Sequence, residues 1–297
     1  MAKLWCDSSD AARAIFERAD AALGDSLGAP LSTHCFEGPT DSLNRTDVSQ
    51  PAIYTASVAC FAGWLDADNT KKKELNIGAT AGLSLGEYTA LHLADAFSFE
   101  DGLKLVALRG RAMQDAAEAV DSSMVALIGA DEESANAVCD KARGDDVLVA
   151  ANFNAPGQVV ISGSAMACDR AETVAAEMGL RATRLAVAGA FHSPIMEPAA
   201  DRLAEALAAT LINAPSCTVM SNVTAQPHTS DADEIRQRLV DQLTMPVRWA
   251  SCCEYLVKNV EGASFHELAP GKTLAGMMRR IDRGTKVIGH NEPETVS

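Results

Sequence analysis

Regular cysteine spacing is missing from this chain. Its eight cysteines, among them the adjacent Cys252 and Cys253, are scattered over 297 residues with no C-x-x-C pair. A disulfide framework and a zinc-ribbon pattern are thereby excluded, and reduced thiols are expected, with Cys252-Cys253 on a half-buried helix face. Aromatic residues are few, and no apolar run approaches the roughly 20 residues of a membrane-spanning helix, so no membrane association is expected. Basic residues are also short: 25 Lys and Arg against 40 Asp and Glu leave a net charge of −15. That balance argues against nucleic-acid binding, although a local basic patch still suits an anionic ligand. The first residues carry no apolar signal core and no transit peptide is evident, so a cytoplasmic location is expected.

What is present is an alanine-rich, half-apolar chain long enough for one large domain with an inserted subdomain, the composition of an α/β enzyme. Ser9 is placed to cap a helix ending at Leu23, with Gly24 as its stop. A loop with Pro30, Gly38, Pro39 and Asn44 follows, and Gln50-Pro51 opens a second helix through Trp64. Lys71-Lys72-Lys73 reads as a solvated loop before a strand over Ile77 to Gly82. Helices are expected from Glu87 to Ala96 and from Ser98 to Ala117. From Met124 to Val187 the order becomes β-α-β-β-α-β, with a turn at Ala155-Pro156-Gly157, which describes a ferredoxin-like unit. We therefore expect an α/β core with a parallel sheet over 1–121 and 189–297 and an inserted ferredoxin-like subdomain over 122–188. The remaining helices begin near Ile195, Ala232, Trp249 and Lys272, with short strands at Thr218 and Phe265. The last seven residues read as frayed.

Chemistry enters at Gly82-Leu83-Ser84-Leu85-Gly86. A serine in G-x-S-x-G between a strand and a helix is presented on a sharp elbow, with helix amides beside it for a developing oxyanion. The same five residues also fit an ordinary tight turn. A nucleophilic serine needs a base, and six histidines are available. His92 lies two helical turns beyond Ser84, out of reach. His34, His228 and His290 sit in loop or tail contexts and read as surface residues; His266 reads as structural. His192, in Gly189-Ala190-Phe191-His192-Ser193-Pro194, leaves a strand and enters a helix, where α/β proteins assemble their sites. It reads either as a structural hydrogen-bonder or as the base for Ser84. Arg109 shares an apolar stripe with Leu105, Val106, Ala112 and Met113. A guanidinium turned inward needs an anion: an internal Asp or Glu, or a substrate carboxylate clamped by its planar fork.

The motifs in their order resemble the malonyl-CoA:acyl carrier protein transacylase family of fatty-acid synthesis. They are Asn44-Arg45-Thr46 with Gln50-Pro51-Ala52, the elbow through Glu87-Tyr88, Arg109-Gly110 with Met113-Gln114, Asn152 to Gly163, Phe191-His192-Ser193 and Pro270-Gly271-Lys272. The resemblance implies Ser84 as nucleophile, His192 as its base, Arg109 on the malonyl carboxylate and the Leu85 amide as an oxyanion donor. It also implies that the backbone carbonyl of Gln242 orients His192, in place of a triad aspartate, and that Phe191-His192-Ser193 selects malonyl. The implied substrates are malonyl-CoA and phosphopantetheinylated acyl carrier protein, with no bound cofactor and no metal. Carrier protein is acidic, so Lys272, Arg279, Arg280 and Arg283 are candidate docking residues, and a monomer is expected.

Two departures stand out. Leu83 replaces a histidine common in the family, as in one of its branches. Family members also begin with a strand ending in Gly-Gln-Gly, whose glutamine is a second oxyanion donor. Here Met1-Ala2-Lys3-Leu4-Trp5 leads almost directly into a helix, so that strand is expected to be lacking. The loss of one such donor costs about 100- to 1,000-fold in turnover. Three readings stay open: a malonyl transferase working through a malonyl-serine, a weakened homologue that binds carrier protein, and a serine esterase of the α/β-hydrolase type.

Overall fold

A computed structural model of the chain describes residues 1–68 and 74–293. Lys71-Lys72-Lys73 lies outside the described residues. Ser9 is extended (φ −142°, ψ 126°) and its Oγ accepts from the Ala12 amide. The helix Asp10–Leu23 therefore starts at this cap, buries Ala12, Ile15, Phe16 and Ala19, and ends at Gly24 (φ 53°). A short helix, Lys3–Ser8, precedes it and buries Trp5, whose Nε1 donates to the His290 carbonyl at 3.0 Å. The loop around Pro30 and Pro39 contains two more short helices, Leu31–Phe36 and Thr40–Asn44. The next helix spans Thr46–Asp66, so Pro51 lies inside it and does not open it. A missing N–H one turn into the helix removes one bond, and a segment buried on nearly every side is held by its packing instead.

The core sheet is short and split. β1 (Ala79–Thr80) pairs in parallel with β6 (Thr218–Val219), and β7 (Phe265–Leu268) with β8 (Val287–His290). The expected six-residue strand at Ile77 is thus only two residues long. Beyond Thr80, whose carbonyl accepts from Met220 N, the side chain of Asn222 replaces the ladder by donating to the Gly82 carbonyl at 2.8 Å. Alternation along a parallel strand then turns the backbone of Ala79 and Ala81 away from β6. On that side, between the two strand pairs, lies an apolar cavity of about 800 Å³, lined among others by Ile77, Ala81, Phe265, Leu268 and Met277. β8 is absent from the sequence reading. Nor is the chain frayed at Asn291, since its Oδ1 accepts from the Gly271 amide at 2.6 Å; residues 294–297 lie outside the described residues.

β2 (Ser122–Ile128), β3 (Leu148–Ala155), β4 (Gln158–Ser164) and β5 (Arg181–Arg184) form an antiparallel sheet in the order β3-β4-β2-β5. With the helices Glu132–Arg143 and Ala165–Glu177 this is the strand order of a ferredoxin-like unit. One face packs Val125, Leu127 and Ile161 on Val138 and Cys168 of the helices. The other packs Met124, Ala126, Ala151 and Val160 against Leu185 and Phe191, next to His192. β3 also reaches the main body: Phe153 N donates to the Val247 carbonyl and Val247 N to the Ala151 carbonyl, both at 2.8 Å. The main core gathers the helices Asp10–Leu23, Thr46–Asp66, Gly86–Leu93, Phe99–Ala119 and Glu197–Ala208. The eight thiols are free, and Cys252 and Cys253 are fully buried rather than half-buried.

Candidate active site

The elbow is built by steric necessity. A Cβ on Gly82 would lie 2.0 Å from the backbone carbon of Gly86, so only glycine fits there. Ser84 takes the left-handed conformation (φ 51°), which a non-glycine residue adopts only when its surroundings impose it. Asn222 does so: its Oδ1 accepts from Ser84 N at 2.6 Å while its Nδ2 donates to Gly82 O. The helix Gly86–Leu93 starts immediately beyond. The Leu85 amide, next in the chain to the serine, makes no hydrogen bond among the described residues.

His192 comes to the elbow from the loop after the ferredoxin-like sheet. Ser162 Oγ donates to the Phe191 carbonyl and Ser193 Oγ to that of Ala190, which holds His192 in its own left-handed conformation (φ 56°). Its Nε2 is 2.9 Å from Ser84 Oγ and its Nδ1 is 2.7 Å from the Gln242 carbonyl. A carbonyl only accepts, so Nδ1 carries the proton and Nε2 offers its lone pair to the serine hydroxyl. Burial, and then the charge of Arg109, push the imidazole down to about 4. The ring is therefore a neutral base over the ordinary pH range.

Arg109 is buried, and none of the ion pairs among the described residues includes it. The internal salt bridge left open by its helical position is thus not formed. Its guanidinium donates to Gln50 Oε1 at 2.7 Å, and to Ser84 Oγ and Gln242 Oε1 at 3.0 Å each. Its Nε has no partner among the described residues, and the ring of Tyr88 lies 5.6 Å away. Burial lowers the guanidinium below its ordinary value. Its hydrogen-bond partners are thus all neutral, and one of them is the Ser84 hydroxyl.

Ser84, His192, Arg109, Leu85 and Gln242 thus meet at one point. Lys272, Arg279, Arg280 and Arg283 do not: they are exposed on and around the helix Thr273–Ile281. Arg280 is the one fixed contact among them, donating to the Pro156 carbonyl of the β3–β4 turn at 3.4 Å. Three histidines read as surface residues are in fact buried. His34 lies within hydrogen-bond distance of Ser42 and Leu27, and His290 contacts His266. His228 N donates to the Val219 carbonyl, which draws its loop inward and brings the ring to Glu87. Asn222, Glu87 and His228 belong to the site and escaped the sequence reading. Glu87 alone had a signal, as an acidic residue one position past the elbow's last glycine. The large cavity reaches Gly82, Leu83, Leu85 and Gly86 but is lined by none of Ser84, His192 and Arg109.

A serine with a neutral imidazole on one side and a buried guanidinium on the other has the geometry of an acyltransferase. The chain belongs to the acyl transferase domain family, which matches residues 1–287. Its relatives narrow that class. It is similar to the malonyl CoA-acyl carrier protein transacylase of Bacillus subtilis (strain 168), 39% identical over 299 residues that cover 100% of this chain and 90% of the relative. The structure of the malonyl CoA-acyl carrier protein transacylase from Coxiella burnetii superposes with a TM-score of 0.91 at 35% identity, over 98% of this chain and 89% of that one. A malonyl-transacylase solved in complex with a type II PKS acyl-carrier protein matches at a TM-score of 0.86 and 35% identity, over 94% and 89%. The family resemblance of the motifs is therefore carried by the whole chain. Among the described residues no helix is long and apolar enough to cross a membrane, and no cluster of side chains is arranged to hold a metal ion.

Proposed function

We propose that this chain moves the malonyl group from malonyl-CoA to the phosphopantetheine thiol of acyl carrier protein, in fatty-acid biosynthesis, through a malonyl ester on Ser84. The Ser84 hydroxyl gives its proton to His192 Nε2 as Oγ bonds to the thioester carbonyl carbon. The carbonyl oxygen gains negative charge and takes the Leu85 amide as donor. Collapse breaks the carbon–sulfur bond, and the departing thiolate of coenzyme A receives the proton from His192. In the second half the carrier-protein thiol gives its proton to the same nitrogen and attacks the ester carbonyl; Ser84 leaves and recovers the proton. Gln242 keeps Nδ1 protonated throughout, so the ring always offers Nε2. No metal or redox cofactor has a part in these steps.

The observation that carries this reading is the buried Arg109 guanidinium, bonded to Ser84 Oγ and to neutral amides only. A malonyl group on Ser84 extends a carboxylate within reach of that fork, and the pairing holds the ester while coenzyme A departs. An α/β-hydrolase esterase would put a carboxylate at the base's outer nitrogen, where the Gln242 carbonyl stands.

Residues 1–121 and 189–297 form the acyltransferase core and 122–188 the inserted subdomain. The enzyme works in the cytoplasm as a monomer, and Lys272, Arg279, Arg280 and Arg283 receive the acidic carrier protein. The test is intact mass after mixing the chain with malonyl-CoA, beside Ser84→Ala. A malonyl adduct on the parent alone is the expected result. Loading that persists in Ser84→Ala overturns the nucleophile, and a folded parent that takes no adduct shifts the reading to a weakened homologue that binds carrier protein.

A further inference from the structure

Glu87 follows the nucleophile by three residues, and its side chain is wholly buried, as is that of His228. Three donors, two from the loop 222–228 and one from Gln242, converge on its two oxygens. Oε1 accepts from His228 Nε2 at 2.6 Å; Oε2 accepts from Gln242 Nε2 at 2.6 Å and from the Asn222 amide at 3.0 Å. Two of those residues, Gln242 and Asn222, also touch the reacting groups. Gln242 turns its carbonyl to His192 Nδ1 and its Oε1 to Arg109, while its Nε2 also donates to the Ser84 carbonyl at 3.1 Å. Asn222 holds both backbone ends of the elbow, at Gly82 and Ser84.

The chemistry of these contacts is directional. A side-chain amide has one donor end and one acceptor end, and which end faces Arg109 depends on what meets the other. The acceptor at Glu87, at 2.6 Å the shorter of the two that Gln242 Nε2 meets, keeps the amide with Oε1 toward the guanidinium. The reverse placement would set NH₂ against a buried cation and leave a donor unsatisfied, which is costly in a dry interior.

We propose that Glu87 is a positioning residue for acyl transfer: its buried carboxylate fixes Gln242 and Asn222, and through them aims His192, Arg109 and Ser84. It touches no reacting atom. The proposal rests on the reading of Ser84 and His192 given above.

His228 supplies an unusual test. In the parent the proton sits on Nε2, facing Glu87; Nδ1 has no partner among the described residues, so a shift of the proton to Nδ1 breaks no hydrogen bond there. In Glu87→Gln the new amide keeps its oxygen on Gln242 and Asn222 and turns its NH₂ to His228, which accepts through Nε2 by changing tautomer. In Glu87→Asp the charge remains, but the shorter side chain cannot span from the helix to Gln242. The neutral isostere should therefore outperform the charged homologue, the opposite of what a need for charge alone would give.

The experiment measures the single-turnover rate of malonyl loading by intact mass, on folded protein, for the parent, Ser84→Ala, Glu87→Gln, Glu87→Asp, Glu87→Ala and Gln242→Ala. Glu87→Asp and Glu87→Ala are expected to load about 10- to 100-fold slower than the parent, the loss typical when an outer hydrogen-bond partner is removed. KM for malonyl-CoA is expected to hold in both, and Glu87→Gln should lose less than either. Glu87→Ala combined with Gln242→Ala should lose less than the two single losses added as free energies, because part of what Glu87 does runs through Gln242. A folded Glu87→Asp that loads faster than Glu87→Gln, or losses that simply add, overturns the proposal even if Glu87→Ala fails to fold. A parent that takes no malonyl on Ser84 instead brings down the reading of the site, and this proposal with it.

Discussion

A serine hydroxyl is a weak nucleophile until a base stands within hydrogen-bond reach, and the imidazole that stands within reach of Ser84 Oγ is buried. The consequence is a specific pH dependence. Because burial and Arg109 hold His192 down to about 4, its unprotonated form persists well below the ordinary imidazole value of about 6.5. The rate of malonyl loading is thus expected to stay level as pH falls through that ordinary value and to drop only toward about 4. A rapid-quench pH series on folded enzyme checks this, and a limb near the ordinary value would place solvent at His192. Arg109 gives the second prediction at this scale. Arg109→Ala should slow malonyl loading about 10- to 100-fold, the size of a lost charge-assisted hydrogen bond, and should slow acetyl loading much less. Equal losses with the two thioesters would make the arginine structural. Both residues were legible as candidates, His192 from its strand-to-helix loop and Arg109 from its place on an apolar stripe. Glu87 had only its place one position past the elbow, and Asn222 and His228 had no signal, since nothing local to a loop asparagine or histidine tells which elbow it will meet.

Among the elements, those with strong local signals came out closest to expectation. The Ser9 cap and Gly24 stop bound the helix Asp10–Leu23, and Ser98 caps Phe99–Ala119 through the Asp101 amide. The ferredoxin-like unit was legible for the same reason, its strands and helices alternating with clear turns. Elements decided by distant partners were not. The helix at Thr46 begins ahead of its proline because it is buried, β1 is cut short by the Asn222 side chain, and β8 exists only by pairing with β7. The elbow is the element most sensitive to a single atom. Gly82→Ala places a methyl group against the Gly86 backbone, which cannot swing aside as a side chain would. A loss of at least about 3 kcal/mol is expected, as for severe overpacking, seen as a lower melting temperature together with lost loading. A stable, active Gly82→Ala would mean that the elbow opens freely.

For the molecule as a whole, charge and the split sheet govern what it can bind. A net charge of −15 repels an acidic carrier protein almost everywhere, so association should depend on the exposed arginines near the Pro156 turn. Reversing Arg279 and Arg280 to glutamate is expected to raise KM for carrier protein about tenfold and to weaken its salt dependence, with loading from malonyl-CoA unchanged; steady-state kinetics at two ionic strengths will show it. The cavity between β1 and β7 makes a separate prediction. Apolar walls and the outward backbone of Ala79 and Ala81 suit an extended segment that would join the two strand pairs into one sheet. A chain lengthened ahead of Met1 by an apolar strand ending in Gly-Gln-Gly is expected to melt higher and load malonyl faster than the 297-residue chain. Thermal melts and the same mass assay compare them, and no gain in either would mean that the cavity does not take a strand.

The sequence by itself determined the class of the protein: an elbow whose glycines and serine permit one backbone path, a ferredoxin-like unit readable from its periodicity, and motifs in an order that names an acyl transfer. Those features are local, set by sterics and by hydrogen bonds between near neighbours. The tertiary structure alone decided which groups meet. It brought His192 over 108 residues to Ser84, denied Arg109 a carboxylate partner, placed the Gln242 carbonyl where a triad acid would stand, and buried Glu87 beneath them. The value of each of those contacts depends on a low-dielectric surround that only the packed chain provides.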